Sequence, residues 1–292
     1  MADYYPYNFG GLPEENSSPD SSRFVILPVG YEATTTYGKG TKRGPAAIID
    51  ASRNMELYDE ELRSEPFLHG IHTAGDLLFH SIVPEAMVET VEEAAAGFVS
   101  KGKCLISLGG EHSISYPLFE AHRKHYGNIG VLQIDAHLDL RESYEGTPFS
   151  HAAVMRRICE KTRDIVQVGI RSYSVEEADF IKGGPTRIFW ARDIVSSDDW
   201  IEKVVSLLPE KVYLTVDVDG LDPSIMPATG TPEPGGMGYY QTLKLLRTFA
   251  EKRTIVGADF VELAPIPGHP ASDFLVSKLI YKTIGYIGGA GK

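Results

Sequence analysis

Residues 129–139 have the sequence IGVLQIDAHLD, an apolar run that ends in two acids and a histidine. A short, uninterrupted apolar run is typical of a strand buried on both faces, as in a parallel sheet covered by helices. It predicts a strand over Ile129–Asp135. KCLISLGGEHS (103–113) and KVYLTVDVDGLDP (211–223) repeat the pattern. Polar side chains therefore follow three predicted strands, at the sheet edge where α/β proteins carry their sites.

The rest of the chain alternates strand patterns with helical ones. Apolar runs predict strands over Arg23–Tyr31, Lys103–Leu108, Ile129–Asp135, Asp164–Ile170, Arg187–Trp190, Lys211–Asp217 and Thr254–Val261. A 3.6-residue periodicity predicts helices over Pro84–Ser100, Asp198–Leu208, Tyr239–Lys252 and Ser272–Ile287, with N-caps at Ser197 or Asp198 and at Ser272 or Asp273. This alternation predicts one α/β domain with a parallel sheet over residues 23–292, preceded by an N-terminal arm over residues 1–22.

Composition narrows the class of partner. The sequence has 40 acidic and 28 basic side chains, for a formal net charge of −12. Nucleic acids and anionic membranes bind basic faces, so neither is an expected partner, whereas cationic substrates and metal ions are compatible. No apolar run approaches the roughly 20 residues that span a bilayer. The two cysteines, Cys104 and Cys159, are expected to be buried structural thiols, which favours a cytoplasmic protein.

The polar residues after the three strands have the spacing of a metal site. Residues two apart in a strand point to the same face, so Asp135 projects with His137, and Asp217 with Asp219. Clustered buried carboxylates are costly unless cations neutralise them, and two divalent ions would balance four aspartates. Such an oxygen-rich set without thiolates favours Mn²⁺ over Zn²⁺. The six candidate ligands are His112, Asp135, His137, Asp139, Asp217 and Asp219.

Three other interpretations compete with this one. Asp-x-His also opens metallophosphatase motifs, but those need an Asn-His pair, which is missing from the sequence. A deacetylase-like hydrolase would use the same kind of sheet with a single zinc ion and fewer carboxylates. A non-catalytic binding protein would be expected to have lost ligands, and all six are present here. Metal content and substrate turnover distinguish the last two interpretations from a two-metal hydrolase.

The three segments resemble the metal-binding motifs of the ureohydrolase family, which includes arginases and agmatinases. The resemblance is found in three motifs, Gly109–Ser113, Asp135–Asp139 and Asp217–Pro223, and it extends over most of the chain. Gly40–Pro45 is similar to the family's Gly-Thr-Arg-x-Gly-Pro segment with Lys42 in place of Arg. Thr229–Gly236 is similar to its Gly-rich loop, although Ala228 replaces a common Gly. The resemblance implies an arginase-like, three-layer α/β/α fold with an eight-stranded parallel sheet, whose eighth strand would come from His69–Thr73.

The resemblance also implies a division of roles at the site. One Mn²⁺ would be held by His112, Asp135, Asp139 and Asp217, and a second by Asp135, His137, Asp217 and Asp219. Asp139 would in addition orient the attacking hydroxide, His151 would shuttle a proton to the departing amine, and Glu262 would bind the guanidinium group of the substrate. Two ions per subunit make hydroxide available near neutral pH. The family likeness further suggests a homo-oligomer, either a trimer or a hexamer.

The segment before His151 points to the substrate. Arginases have a Ser-Gly-Asn stretch there for the α-carboxylate, whereas Gly146–Ser150 lacks the Asn and resembles agmatinases. We therefore predict hydrolysis of agmatine to putrescine and urea, with the distal ammonium near the acidic loop Arg141–Glu145. The cationic side chain of Arg141 keeps 4-guanidinobutyrate open as the alternative. Arginine is a weaker candidate.

Overall fold

Eight parallel strands form a single sheet at the centre of the protein, which a computed structural model describes over residues 5–289. The strands are β1 (Phe24–Val29), β2 (Ile71–Thr73), β3 (Cys104–Gly109), β4 (Gly130–Ile134), β5 (Ile165–Ile170), β6 (Arg187–Trp190), β7 (Lys211–Asp217) and β8 (Thr254–Val261). Their order across the sheet is β2-β1-β3-β8-β7-β4-β5-β6. Consequently β3, β8, β7 and β4 are consecutive neighbours in the middle of the sheet.

Two hydrophobic cores lie on opposite faces of the sheet. In β1, Phe24 and Ile26 belong to one core, while Val25 and Leu27 belong to the other. This alternation follows from the two-residue period of a strand, and it explains why the strand sequences are predominantly apolar on both faces.

Helices cover both faces and complete a three-layer α/β/α fold. They are α1 (Glu14–Ser17), α2 (Gly44–Ser52), α3 (Pro84–Val99), α4 (Ser115–Tyr126), α5 (Val154–Cys159), α6 (Val175–Phe180), α7 (Ala191–Ile194), α8 (Trp200–Ser206), α9 (Tyr239–Lys252) and α10 (Ala271–Gly289). Helices α2, α8, α9 and α10 pack on the face of Phe24, and α3, α4 and α5 on the face of Val25. Among residues 5–289, none of these helices combines the length and the apolar character that crossing a membrane requires.

The predicted fold is confirmed, with differences at the ends of elements. All seven predicted strands are present, and the eighth forms over Ile71–Thr73. The predicted caps are wrong: α8 begins at Trp200 after Asp199, and α10 begins at Ala271, one residue before the proposed cap Ser272. The Asp198 carboxylate accepts from Lys244 and Gln241 instead of capping a helix.

The segment predicted as an arm packs against the domain where the structure describes it. Phe9 is fully buried, and its N–H donates to the Thr73 hydroxyl at 2.9 Å. The N–H of Gly10 donates to the hydroxyl of Ser52 at the same distance. Residues 1–4 of the predicted arm lie outside the described residues. The boundary at residue 22 stays a prediction.

Both cysteines are free thiols, as expected for a chain without a disulfide framework. Cys159 is buried at the end of α5, and Cys104 is partly buried at the start of β3. Neither lies near the sheet edge that carries the candidate ligands.

Candidate metal centre and active site

The carboxyl ends of the four central strands bring the predicted site residues together. After β3 the chain forms a 3-10 turn over His112–Ile114, and after β7 another over Val218–Gly220. These turns follow the strands directly, so the side chains stay at the sheet edge instead of being carried away by a long loop. The side chains that meet there are His112 after β3, Asp135, His137 and Asp139 after β4, Asp217 and Asp219 at β7, and Glu262 after β8.

The first cluster surrounds Nδ1 of His112. Carboxylate oxygens of Asp139, Asp135 and Asp217 lie 2.9, 3.1 and 3.4 Å from this nitrogen. All four side chains are buried, and His112 is only 1% exposed. Three acids thus converge on one ring nitrogen at a position closed to bulk solvent.

The second cluster surrounds Nδ1 of His137. This nitrogen lies 3.0 Å from Oδ2 of Asp219 and 3.6 Å from Oδ1 of Asp135. The imidazole is half-buried and lines the cavity above the cluster. Its Nε2 faces the carboxylate of Glu233 at 4.0 Å. The second cluster is therefore closer to solvent than the first.

Asp135 belongs to both clusters, because its two oxygens face in different directions. Oδ2 approaches His112 and accepts from Nε2 of Gln133 at 2.6 Å, whereas Oδ1 accepts from the backbone N–H of His137 at 2.6 Å. Asp217 turns Oδ2 to the first cluster, and its Oδ1 accepts from the N–H of Asp219 at 2.9 Å. Asp135 and Asp217 therefore each turn one oxygen to His112, and Asp135 also faces the second cluster.

These two clusters fit divalent metal ions. Octahedral ligands about 2.1 Å from one ion lie about 3 Å from one another, close to the separations around His112 and His137. Two groups, His112 with Asp135 and Asp139, and Asp135 with His137 and Asp219, have ligand atoms within 4.8 Å of one another. Nδ1 of His112 is buried and makes no hydrogen bond within residues 5–289. An orphaned imidazole nitrogen among carboxylates is the donor set that a cation requires.

The pKa shifts of the clustered acids indicate that the site needs additional positive charge. Burial and the neighbouring charges of Asp219 and Asp135 raise the pKa of Asp217 well above its usual value. Burial and the charge of Asp135 raise the pKa of Asp139 to about 7. Two histidines are too few to neutralise the acids, which leaves excess negative charge where a divalent ion would bind.

Two of the predicted site residues have backbone conformations that L-residues rarely adopt. Asp139 has a φ of 55° and Glu262 a φ of 67°, in the left-handed region. Outside glycine this conformation is unfavourable, and it concentrates at functional sites where the surrounding fold imposes it. In both residues it turns the side chain into the same cavity.

The cavity above the clusters has a volume of about 270 Å³ and is lined by the predicted residues His151 and Glu262. Tyr37, Tyr144 and Tyr173 form aromatic parts of its wall, and Tyr37 is 81% exposed. The inner end of the cavity is acidic, and its outer wall is aromatic. That polarity suits an elongated cation.

Glu262 is fixed at the base of the cavity by a backbone contact. Its Oε1 accepts from the N–H of His112 at 2.7 Å, and the side chain is 7% exposed. Burial and the charge of Glu111 raise its pKa well above the usual value. A planar cation in the cavity would compensate this carboxylate, since guanidinium groups and carboxylates match in geometry.

His151 lies in the 3-10 turn before α5, with its ring edge-on to Tyr144 at 5.6 Å between centroids. Burial lowers its pKa, so the neutral imidazole is favoured. Its Nδ1 is 2.9 Å from the hydroxyl of Thr34, a residue that the sequence patterns did not single out.

Asp259 lies on β8, close to the candidate ligands, but does not join the ligand clusters. Its carboxylate accepts from the hydroxyls of Thr215 at 2.6 Å and Tyr213 at 2.7 Å. Thr215 in turn contacts Nε2 of His112 at 2.9 Å. Asp259 therefore lies behind a candidate ligand.

The acidic loop Arg141–Glu145 is positioned differently from its predicted role. Only Arg141 and Tyr144 of this loop line the cavity, with the guanidinium 4.9 Å from the ring centroid of Tyr144. Glu142 forms ion pairs with Arg156 at 2.5 Å and Arg157 at 3.2 Å. Those pairs turn Glu142 toward α5 instead of toward a bound amine.

Known proteins are similar to this chain in both sequence and fold. A model of the arginase family matches residues 22–285. The N(1)-aminopropylagmatine ureohydrolase of Synechocystis sp. is 41% identical over 271 residues, 90% of this chain and 89% of the relative. A protein of the same name from Thermus thermophilus is 35% identical over 275 residues, 94% of each chain. The crystal structure of the agmatine ureohydrolase of Thermoplasma volcanium has a TM-score of 0.88 at 30% identity, covering 98% of this chain and 95% of that one.

Proposed function

The chain belongs to the arginase family, and from that premise we propose that it is a two-metal ureohydrolase that cleaves the guanidinium group of a linear guanidino amine. The observation that carries the proposal is the position of Glu262, in a cavity directly beside two His/Asp clusters. The products would be urea and the amine that remains. As substrates we propose agmatine and its N(1)-aminopropyl derivative.

The proposed metal is Mn²⁺, two ions per chain. One ion would be held by His112, Asp135, Asp139 and Asp217. The other would be held by Asp135, His137, Asp217 and Asp219. When bound, the pair supplies Lewis acidity and activates water for attack on the guanidinium carbon. The oxygen-rich donor set supports manganese, because hard carboxylates outnumber imidazoles and thiolates are missing from the site.

Glu262 would bind the guanidinium group. The hydrogen bond from His112 to Oε1 fixes the carboxylate, so binding loses little side-chain entropy. A guanidinium has parallel N–H donors that a carboxylate accepts in pairs, which also orients the carbon toward the clusters. Neutral analogues lacking the cation would leave a buried carboxylate uncompensated and should bind poorly.

His151 would carry a proton, and Asp139 would orient the attacking oxygen. The departing nitrogen leaves as a neutral amine only if it gains a proton. The imidazole of His151 lines the cavity and is neutral, so it can accept a proton and return it. Asp139 lies in the first cluster and borders the same cavity, within reach of an oxygen held there.

The aminopropyl form is the better supported of the two substrates. Two relatives at 41% and 35% identity are N(1)-aminopropylagmatine ureohydrolases. The tyrosines in the cavity wall support a second cationic centre, because aromatic faces attract ammonium groups. The likeness to an agmatine ureohydrolase supports agmatine itself. Hydrolysis of agmatine would release putrescine, and the derivative would release a linear triamine.

The experiment is a comparison of four substrates with the Mn²⁺-loaded protein. Urea release is measured with N(1)-aminopropylagmatine, agmatine, arginine and 4-guanidinobutyrate, and the metal content is determined on the same samples. We expect the highest kcat/KM with one of the two amines. A preference for arginine or guanidinobutyrate would overturn the amine assignment and would point to Arg141 as a carboxylate partner.

The same samples test the alternative classes. One metal ion per chain would favour a single-metal hydrolase. Two ions without urea release from any of the four compounds would favour a binding protein. The trimer or hexamer expected from the family resemblance is part of this proposal, and light scattering of the purified chain measures it directly.

A further inference from the structure

A single hydroxyl lies between a buried carboxylate and the ring of His151. Oγ1 of Thr34 donates to Oε1 of Glu111 at 2.7 Å and lies 2.9 Å from Nδ1 of His151. Thr34 is 6% exposed, and Glu111 is fully buried. The three residues come from the loop after β1, the turn after β3 and the turn before α5, so only the fold brings them together.

The carboxylate of Glu111 is held by donors from two directions. Its Oε2 accepts from the N–H groups of Ala33 at 2.6 Å and Thr34 at 2.7 Å. Its Oε1 accepts from the hydroxyls of Thr34 and Ser113. A carboxylate surrounded by donors acts as an acceptor, and that assigns the hydroxyl proton of Thr34 to Glu111.

With its proton directed to Glu111, the oxygen of Thr34 is an acceptor for His151. It accepts from the backbone N–H of His151 at 3.1 Å. The contact at 2.9 Å to Nδ1 then requires that Nδ1 carries the ring proton. In a neutral imidazole the other nitrogen, Nε2, must hold the lone pair.

We propose that Glu111 and Thr34 are positioning residues that fix the tautomer of His151, with the proton on Nδ1 and the lone pair on Nε2. The proposal rests on the proposed function, in which His151 carries a proton during hydrolysis. The bond from the water oxygen to carbon forms, and the bond from carbon to the amine nitrogen breaks. Nε2 takes one of the two water protons from that oxygen and returns it to the departing nitrogen, so the imidazole is unchanged after each turnover. The other water proton leaves the site and is balanced when the released amine becomes an ammonium.

The opposite tautomer would not support this exchange. A proton on Nε2 would place a donor where an acceptor is required, and Nδ1 would face the oxygen of Thr34 without a hydrogen bond. Selecting one tautomer through the second nitrogen is a common way to orient a working imidazole. Neither Thr34 nor Glu111 lines the cavity, so this relay from Glu111 through Thr34 to His151 does not need to touch the reacting atoms.

A purely structural role for Thr34 makes a different prediction, and a double-mutant cycle distinguishes the two. Thr34→Val keeps the branched shape and removes the hydroxyl, and Thr34→Ser restores the hydroxyl. We expect Thr34→Val to lower kcat about 10- to 100-fold with a smaller change in KM, as for other residues that orient a functional histidine. Thr34→Ser should recover most of that loss.

In a His151→Phe background, Thr34→Val should change kcat less than about 2-fold, because the partner through which it acts is gone. An undiminished effect in that background would overturn the relay and assign Thr34 to loop structure. Thermal unfolding of all variants tests that each is folded before its rate is interpreted.

The tautomer is measured without substrate, which separates the relay from the proposed reaction. In long-range ¹H–¹⁵N spectra of protein labelled at histidine nitrogen, the His151 signals are those lost in His151→Phe. We expect Nδ1 protonated and Nε2 bare in the wild type, with a shift toward the other tautomer in Thr34→Val. A wild-type ring protonated on Nε2 would refute the inference even if urea is released. Conversely, a protein that releases no urea refutes the proposed function and leaves this spectrum to decide the relay.

Discussion

Nε2 of His112 lies 2.9 Å from the hydroxyl of Thr215, and that hydroxyl donates to the buried carboxylate of Asp259 at 2.6 Å. Because the hydroxyl proton goes to Asp259, Nε2 of His112 is the donor in this contact, and Nδ1 is left to face Asp135, Asp139 and Asp217, where it would offer its lone pair to a cation that takes the place of a proton. Residues on the far side of the ring would thus select Nδ1 as the proposed ligand nitrogen.

This relationship predicts that Thr215→Val weakens metal binding. Loss of the hydroxyl frees the ring to rotate or change tautomer, and affinity should fall about 10- to 100-fold, as for other partners of metal-binding histidines. Competition with a fluorescent chelator measures the affinity. Thr242→Val is the matched control, because Thr242 is equally buried but donates to the carbonyl of Gly238, the residue before α9. Equal affinities in Thr215→Val and the wild type would show that the contact does not tune the site.

Asp135 gives a second prediction, since its two oxygens face different clusters. Asp135→Asn should lower the metal content of both positions, whereas His137→Asn should remove metal from the second cluster alone. Elemental analysis after gel filtration gives the number of ions per chain. Two ions retained in Asp135→Asn, or both lost in His137→Asn, would contradict the proposed division of ligands.

Much of the architecture follows from local sequence pattern. Strand β4 was predictable because Gly130–Ile134 is apolar apart from Gln133, as burial between two helix layers favours. Helix α4 was not, because Ser115–Tyr126 mixes Pro117 with charged and aromatic side chains and lacks a clean apolar stripe. Packing against α3, β7 and β8 stabilises it instead, and the local pattern of one sequence does not reveal which elements will meet.

The convergence of the candidate ligands was also predictable, because carboxyl ends of parallel strands meet at one sheet edge. The hydrogen-bonded residues that orient the histidines were not predictable. Thr34 and Glu111 are 77 positions apart, and Thr215 and Asp259 are 44 apart. Buried threonines are common in cores, and nothing local marks one that serves a histidine. Sequence pattern therefore identified side chains that face the cavity and missed those that orient them.

The burial of His122 predicts that part of the loss of folding stability at low pH arises outside the candidate site. Burial lowers its pKa to about 4, and its ring packs against Tyr213 and Tyr126 with Nδ1 2.7 Å from the carbonyl of Leu118. The folded state binds this proton more weakly than the unfolded state, whose pKa is near 6.5. Stability is therefore fully present above pH 6.5 and falls as the pH drops toward 4, by about 3 kcal/mol at roughly 1.4 kcal/mol per pH unit.

His122→Leu isolates this component, because leucine does not titrate and any change in packing costs the same at every pH. In chelator, we expect the wild type to lose about 2–3 kcal/mol more unfolding free energy than His122→Leu between pH 7.5 and 4.5. His125→Leu, on the exposed side of the same helix, serves as the control and should follow the wild type. Parallel pH profiles of wild type and His122→Leu would show that His122 is not the group responsible.

The hydrogen bonds of Arg171 connect the second candidate metal cluster to the loop that follows it, and they give a further prediction. Its guanidinium donates to the carbonyl of Asp219 at 2.6 Å and to the carbonyls of Glu233 at 2.7 Å and Pro234 at 3.0 Å. Three carbonyls from two segments need a planar fork of donors, which lysine does not have. Arg171→Lys should therefore free the loop and lower stability by about 2 kcal/mol, the range for hydrogen bonds to a charged group.

Limited proteolysis and denaturant unfolding measure both effects, with Arg187→Lys as the control because Arg187 is exposed on β6. We expect new cleavage between residues 229 and 236 only in Arg171→Lys. Metal should be lost first from the cluster of His137, since Asp219 is the proposed ligand whose backbone carbonyl accepts from Arg171. If instead the loop stays protected and metal affinity is unchanged, the hydrogen bonds of Arg171 do not fix the loop. The packing of Leu221 and Met237, with the hydrogen bond from the N–H of Met237 to the carbonyl of Gly220 at 3.1 Å, would then be sufficient.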